Sequence, residues 1–157
     1  DNLSQNDINE LIEKKLENLH LQLGDPKPPV GDYIGSRSVG ELLYASGRVS
    51  DLAGEIGTEV SMESAKQAAR DTVLLILAIV KKDIKDLDLL AGVVKVQGFL
   101  RCASGFTELP KVLDGASGLL IELFGENGKH ARTATGVSQL PFGAALQIDI
   151  IFEMKRK

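Results

Sequence analysis

The chain holds a single cysteine, no tryptophan and only 4% aromatic residues in 157 positions. One cysteine, Cys102, excludes an internal disulfide and disfavours a secreted, stapled scaffold. No His-Asn or His-Asp constellation stands near it, so it reads as a small core hydrophobe rather than a nucleophile. Long apolar runs are missing too: the longest, residues 72–80, is too short to cross a bilayer, and no secretory leader is legible. The two histidines, His20 and His130, lie far apart without metal-ligand spacing. There is no phosphate-binding Walker loop and no dinucleotide-binding glycine fingerprint, so neither metal nor other cofactor is expected. Basic residues do not dominate: 18 Lys and Arg against 22 Asp and Glu leave a net charge of -4, and the tail Lys155-Arg156-Lys157 is the only basic cluster. That argues against a partner recognised through a phosphate backbone. The expectation is a cytosolic protein with no membrane or nucleic-acid partner.

What remains is ordinary globular material, 43% hydrophobic and 25% charged, in a length suited to one domain with one core. Ile8, Leu11, Ile12, Leu16 and Leu19 recur at helical spacing and predict an amphipathic helix over 6–23, capped by Asn6 or Asp7 and ended by Gly24. Pro26, Pro28 and Pro29 make 25–31 an extended linker. The core is expected over 32–153. Segments 32–37 and 42–47, parted by a turn-like break at 38–41, predict a β-hairpin. Ser61 caps a second helix through Lys82, whose buried stripe is Ala65, Ala68, Ala69, Val73, Ile76, Leu77 and Val80. A strand over 90–100 and a helix over 111–124, opened by Pro110, come next.

Two closing strands complete the chain. The first opens near Arg132 and is broken by Leu140-Pro141 and turned by Phe142-Gly143. The second, 145–152, alternates Leu146, Ile148, Ile150 and Phe152 with Gln147, Asp149, Ile151 and Glu153, the mark of one buried face. Strand runs with helices between them predict an α+β fold: one mixed β-sheet with two helices packed on one face, plus the extra N-terminal helix. The other face would be uncovered unless the first helix reaches it, and self-association is the simplest cover.

Arg132, at the mouth of a strand, is the residue with the clearest chemistry. Its planar guanidinium pairs with carboxylates through two parallel hydrogen bonds. The plainer alternative is a surface ion pair of small energetic value. Tyr33 and Phe99 are most simply packing residues, and Gly47, Gly98 and Gly136 are turns, bulges or close backbone approaches. His130 is expected to face solvent beside Arg132 rather than act as a base.

Five segments together carry a resemblance: Gly31-Asp32-Tyr33, Leu43-Tyr44-Ala45-Ser46-Gly47-Arg48, Val94-Lys95-Val96-Gln97-Gly98-Phe99, Lys111-Val112-Leu113-Asp114-Gly115-Ala116-Ser117 and His130-Ala131-Arg132-Thr133. In this order and spacing, over about 30–153, the chain resembles the RidA (YjgF) family, in its longer branch with an N-terminal helix. The resemblance implies a chorismate-mutase-like fold and a homotrimer with three clefts between subunits. It implies hydrolysis of 2-imino acids, or their enamine tautomers, to 2-oxo acids and ammonia. On this reading Arg132 grips the substrate carboxylate and Ala134, where the short form often has Cys, offers its backbone. Tyr33 and Phe99 close the pocket beside the Ser46-Gly47 turn.

Two departures bear on chemistry. Asp114 stands where the family usually has Asn, and its charge would repel a carboxylate unless neutralised. Gln147 stands fifteen residues after Arg132, where active members carry a Glu that orients the attacking water. Gln can hydrogen-bond a water but cannot take its proton, and Asp149 is the nearest acidic stand-in. An imine is electrophilic enough for positioning alone to support turnover. The alternatives are a non-catalytic homotrimeric binder of small 2-imino or 2-oxo acids and, with less support from charge and His content, a ribonuclease or translation inhibitor.

Overall fold

The computed structural model describes residues 11–156. Helix α1 is Leu11–Asn18, and it turns Ile12 and Leu16 into the core. The part of the predicted helix before residue 11, with its Asn6 or Asp7 cap, lies outside the described residues. Its C-terminal end is earlier than predicted. His20 N donates to Glu17 O at 3.0 Å and Leu21 N to Leu16 O at 2.9 Å, with His20 at φ +56°. This hydrogen-bond pair around a left-handed residue is a Schellman stop, so His20 ends the helix and Gly24 does not. Residues 25–31 carry no regular element, as three prolines require.

Helix α2 is Met62–Ile84, with Ser61 as its N-cap accepting from Ser64 N at 3.1 Å. Its predicted stripe, from Ala65 to Val80, is buried throughout. Helix α3 is Leu109–Phe124, with Val112, Leu113, Ala116, Leu119, Leu120 and Leu123 buried. Gly115 on α3 faces the Lys66 carbonyl of α2 so closely that a Cβ there would overlap the oxygen. That missing side chain sets how near the two helices approach.

The strands are β1 Ser36–Val39, β2 Leu42–Val49, β3 Leu90–Arg101, β4 Ala131–Val137 and β5 Leu146–Met154. They form one sheet in the order β1-β2-β5-β3-β4. β3 and β4, joined through α3, run parallel, and the other neighbours are antiparallel. The hairpin turn is shorter than the predicted 38–41 break. Ser38 and Val39 pair with Leu43 and Leu42, leaving Gly40-Glu41 as the loop, with Gly40 at φ +59°, a conformation that glycine adopts without strain.

Alternation divides the sheet into two faces. Leu43, Ala45, Val96, Leu100, Leu146, Ile148, Ile150 and Phe152 are buried against the helices. Residues of opposite parity, Tyr44, Gln97, Phe99, Gln147, Asp149 and Ile151, point to the other face. α1 does not reach that face. Ile12 N donates to Asp88 Oδ1 at 3.2 Å, Lys15 Nζ to Leu123 O at 3.3 Å, and Glu13 pairs with Lys81 of α2 at 2.9 Å. α1 therefore sits in the helical layer, and none of the described elements covers the far face.

Candidate functional site

Arg132 is the second residue of β4, paired in register with Val96, so its side chain shares the helix-packed face at the sheet's outer edge. There it meets α3. Nη1 donates to Asp114 Oδ1 at 2.7 Å and to Ser117 Oγ at 3.1 Å, and Nη2 donates to Pro110 O at 3.3 Å. Asp114 is thus neutralised within the chain. A guanidinium has five N–H donors; three are committed here, leaving Nε–H and one N–H on Nη2. A carboxylate can accept from both nitrogens along one edge of the fork.

His130 is not solvent-facing, contrary to the sequence expectation. Its Nδ1 lies 2.6 Å from Gly128 O and its Nε2 2.9 Å from Ser117 Oγ. The carbonyl can only accept, so Nδ1 carries the proton, and in the neutral ring Nε2 accepts from the Ser117 hydroxyl. Ser117 Oγ in turn accepts from Arg132. The chain of contacts Gly128–His130–Ser117–Arg132 holds the guanidinium from behind. Sequence reasoning missed Ser117 as a contact, although it closes the Gly-Ala-Ser segment on one face of α3 with Asp114. Ala134, two residues along β4, pairs with Gly98 and packs against the core. β4 is the last strand, so one row of its backbone N–H and C=O groups has no partner strand among the described residues.

Gln147 lies elsewhere. On β2, Ser46 and Gly47 together oppose Asp149, because the flanking pairs are Ala45 with Ile150 and Arg48 with Ile148. This is a β-bulge. A Cβ at Gly47 would press on the ends of the Asp149 and Gln147 side chains, which would have to move to admit it. Ser46 ties the preceding loop down, its Oγ donating to Ile34 O at 2.6 Å and its N donating to Gly35 O at 2.9 Å. Tyr33 is half exposed, with its hydroxyl accepting from Val30 N at 3.3 Å. Tyr33, Gly47, Arg48, Phe142 and Gln147 line a cleft of about 780 Å³, within the size range of small-ligand sites. Phe99 pairs with Gln147 across the open face.

Gln147 Nε2 donates to Asp149 Oδ1 at 3.3 Å, which leaves the amide oxygen free to accept. Burial raises the Asp149 carboxyl above the usual carboxylate range, against a smaller lowering by that hydrogen bond. Burial also raises the Cys102 thiol, with a further push from Glu55. The thiolate is correspondingly scarce, in keeping with a packing role. Arg48 escaped the sequence reading. Its Nε is shielded from solvent and has no hydrogen-bond partner among the described residues.

The predicted site residues therefore fall into two groups. Tyr33, Ser46, Gly47, Phe99 and Gln147 gather around the bulge and the open face, while Arg132, Asp114 and Ala134 gather at the β4 edge. Arg132 aligns with Ile150 through Val96. It is thus two strands and three residues from Gln147, roughly 10 Å in each direction, and on the opposite face. A single protomer does not bring them together.

Among the described residues no group of His, Cys, Asp and Glu could hold a metal ion, and no helix is long and apolar enough to cross a membrane. Residues 13–154 match the family model described as "YjgF/chorismate_mutase-like, putative endoribonuclease". The chain is 33% identical over 150 residues to Protein TCP17 of Trypanosoma cruzi, covering 91% of this chain and 94% of that one. Among solved structures, a protein of unknown function from Agrobacterium tumefaciens superposes with a TM-score of 0.86 at 34% identity, over 96% of each chain. A "putative endoribonuclease" from Shewanella oneidensis superposes with a TM-score of 0.87 at 27% identity, over 91% of this chain and 99% of that one.

Proposed function

We propose a function for this chain from one premise: it belongs to the YjgF/chorismate-mutase-like, "putative endoribonuclease" family. The reading is a reactive-intermediate deaminase that hydrolyses 2-imino acids to 2-oxo acids and ammonia, with its site assembled between protomers of a homotrimer. The observation that carries it is the separation of Arg132 from the Gln147 cleft. A ligand that touches both must draw them from different copies of the chain. The substrate carboxylate then bridges Nε–H and Nη2–H of Arg132 without displacing Asp114. Gln147 Oε1 accepts a hydrogen bond from the attacking water.

Water oxygen bonds to the imine carbon while the C=N π electrons move to the protonated nitrogen. A proton then passes from that oxygen to nitrogen, and as the C–N bond breaks the remaining hydroxyl proton goes to the departing ammonia, leaving the 2-oxo acid and an ammonium ion. Gln147 orients the water but takes no proton, so the expected turnover is slow. Losing a general base typically costs ~10²–10⁴ in rate. The same residue favours a second reading, a trimer that binds small carboxylates without turnover. The ribonuclease reading has only relatives' names in its favour, against a net charge of -4.

The test follows the decay of 2-iminobutanoate, generated in situ by an amino-acid dehydratase. Turnover by the wild type that is lost in Arg132→Ala and raised ~10²–10⁴ in Gln147→Glu supports the deaminase. A silent wild type with an active Gln147→Glu supports the binder. Silence in both, from an intact assembly, removes the deaminase reading.

A further inference from the structure

Gln147 and Asp149 follow one another on the open face of β5. Their side chains meet above Gly47, where a Cβ would press on Asp149 Oδ1 and on Gln147 Nε2. The bare glycine of the bulge thus leaves room for the hydrogen bond that Nε2 donates to Oδ1 at 3.3 Å. Gly47 and Gln147 line the cleft, and Asp149 is not among its lining residues. Asp149 therefore stands behind the amide and acts on the cleft through Gln147.

An amide has two ends of similar shape and opposite chemistry: the NH2 donates and the oxygen accepts. An ionised carboxylate has no donor, so it holds the NH2 end and repels the oxygen. No charged side chain stands opposite Asp149 to disturb this. β2 sets Ser46 and Gly47 there, and β3 sets Gln97. Tyr44 and Lys95 stand opposite Ile151, the next residue on the face, and Lys95 Nζ donates to Thr133 Oγ1 at 2.9 Å.

We propose that Asp149 is a positioning residue that keeps the amide oxygen of Gln147 turned toward the attacking water. The inference rests on the deaminase reading above. Burial holds the Asp149 carboxyl above its ordinary range. The hold on the amide is present above that raised titration and lost as pH falls through it, because a protonated carboxyl both donates and accepts and so meets either end of the amide.

The experiment uses the isosteric Asp149→Asn, which also meets either end. In hydrolysis of 2-iminobutanoate by the intact oligomer it should lower kcat about two- to tenfold with KM unchanged. The ratio of wild-type to variant kcat should approach one as pH falls through the Asp149 titration, a comparison in which the substrate's own protonation cancels. In the Gln147→Glu background Asp149 faces a like charge instead, and there Asp149→Asn should not lower kcat. A second measurement needs no turnover. The side-chain amide signals of Gln147 in the isotope-labelled wild type, identified by their loss in Gln147→Glu, should shift with the titration of one carboxyl and stay fixed in Asp149→Asn. A loss of kcat equal in both backgrounds and at every pH, or amide signals indifferent to pH, overturns the inference. A silent wild type whose Gln147 amide still titrates overturns the deaminase reading and leaves the pairing standing.

Discussion

At the scale of single residues, Arg132 and Asp114 are an ion pair whose chemistry matters more than its stability. Asp114 is 57% exposed, so the pair adds little to folding. Its charge nevertheless stands beside the two donors left for a ligand. Asp114→Asn keeps an oxygen for Nη1 and removes that charge. The expected outcome is tighter binding of 2-oxobutanoate by about two- to tenfold, with the melting temperature nearly unchanged, as read by calorimetry and thermal unfolding. Weaker binding would mean that Asp114 works mainly to aim Arg132.

Asp149 makes a separate prediction with a definite sign. Burial holds its folded-state carboxyl above its ordinary, unfolded-chain value. Between those two values the folded state binds more protons than the unfolded chain, so stability falls as pH rises through that window. Asp149→Asn removes this loss. Its melting temperature should exceed the wild type's at pH 7, and the difference should shrink as pH falls toward 4, the unperturbed carboxyl range. A difference independent of pH would trace the effect to packing.

At the scale of elements, α3 carries two glycines whose replacements should have opposite effects. A Cβ at Gly115 meets the Lys66 carbonyl of α2, which is backbone and cannot swing away. Overpacking of this kind costs about 1–3 kcal/mol, more than the ~0.5–1 kcal/mol that alanine gains over glycine in a helix. Gly118, on the same helix, has nothing within 4 Å of its Cβ position. Gly115→Ala should therefore lower the melting temperature and Gly118→Ala raise it, each by a few degrees at about 2–4 °C per kcal/mol. Thermal unfolding of the two variants side by side checks the contrast. If both stabilise, the α2–α3 approach has room that the geometry denies.

At the scale of the whole molecule, the sheet has helices on one face and, among the described residues, nothing on the other. Tyr44, Phe99 and Ile151 lie on that open face with Gln147 and Asp149. On the proposed function, further copies of the chain cover that face and bring Arg132 of one protomer to Gln147 of another. The expected assembly is a trimer of three times 16.9 kDa, seen by sedimentation or light scattering at micromolar concentration. A stable monomer would leave Arg132 and Gln147 without a common ligand.

Composition and periodicity by themselves determined the α+β class, the buried stripe of α2, the alternating β5 and the place of Arg132 at a strand opening. Each depends on neighbours within one turn or one pleat, which a sequence displays directly. Motif order carried the family. The end of α1 was not legible, because a left-handed His20 stopped the helix before the glycine that composition favoured. The tertiary structure alone decided that Arg132 is held by Asp114, Ser117 and Pro110, that His130 is fastened to Ser117, and that Arg48 Nε has no hydrogen-bond partner among the described residues. These contacts join residues far apart in the chain, through a helix crossing set by Gly115 and a bulge at Ser46-Gly47. Which face of the sheet each predicted site residue occupies is likewise tertiary: strand register and the side the helices cover, neither of which is a local property, place Arg132 and Gln147 on opposite faces.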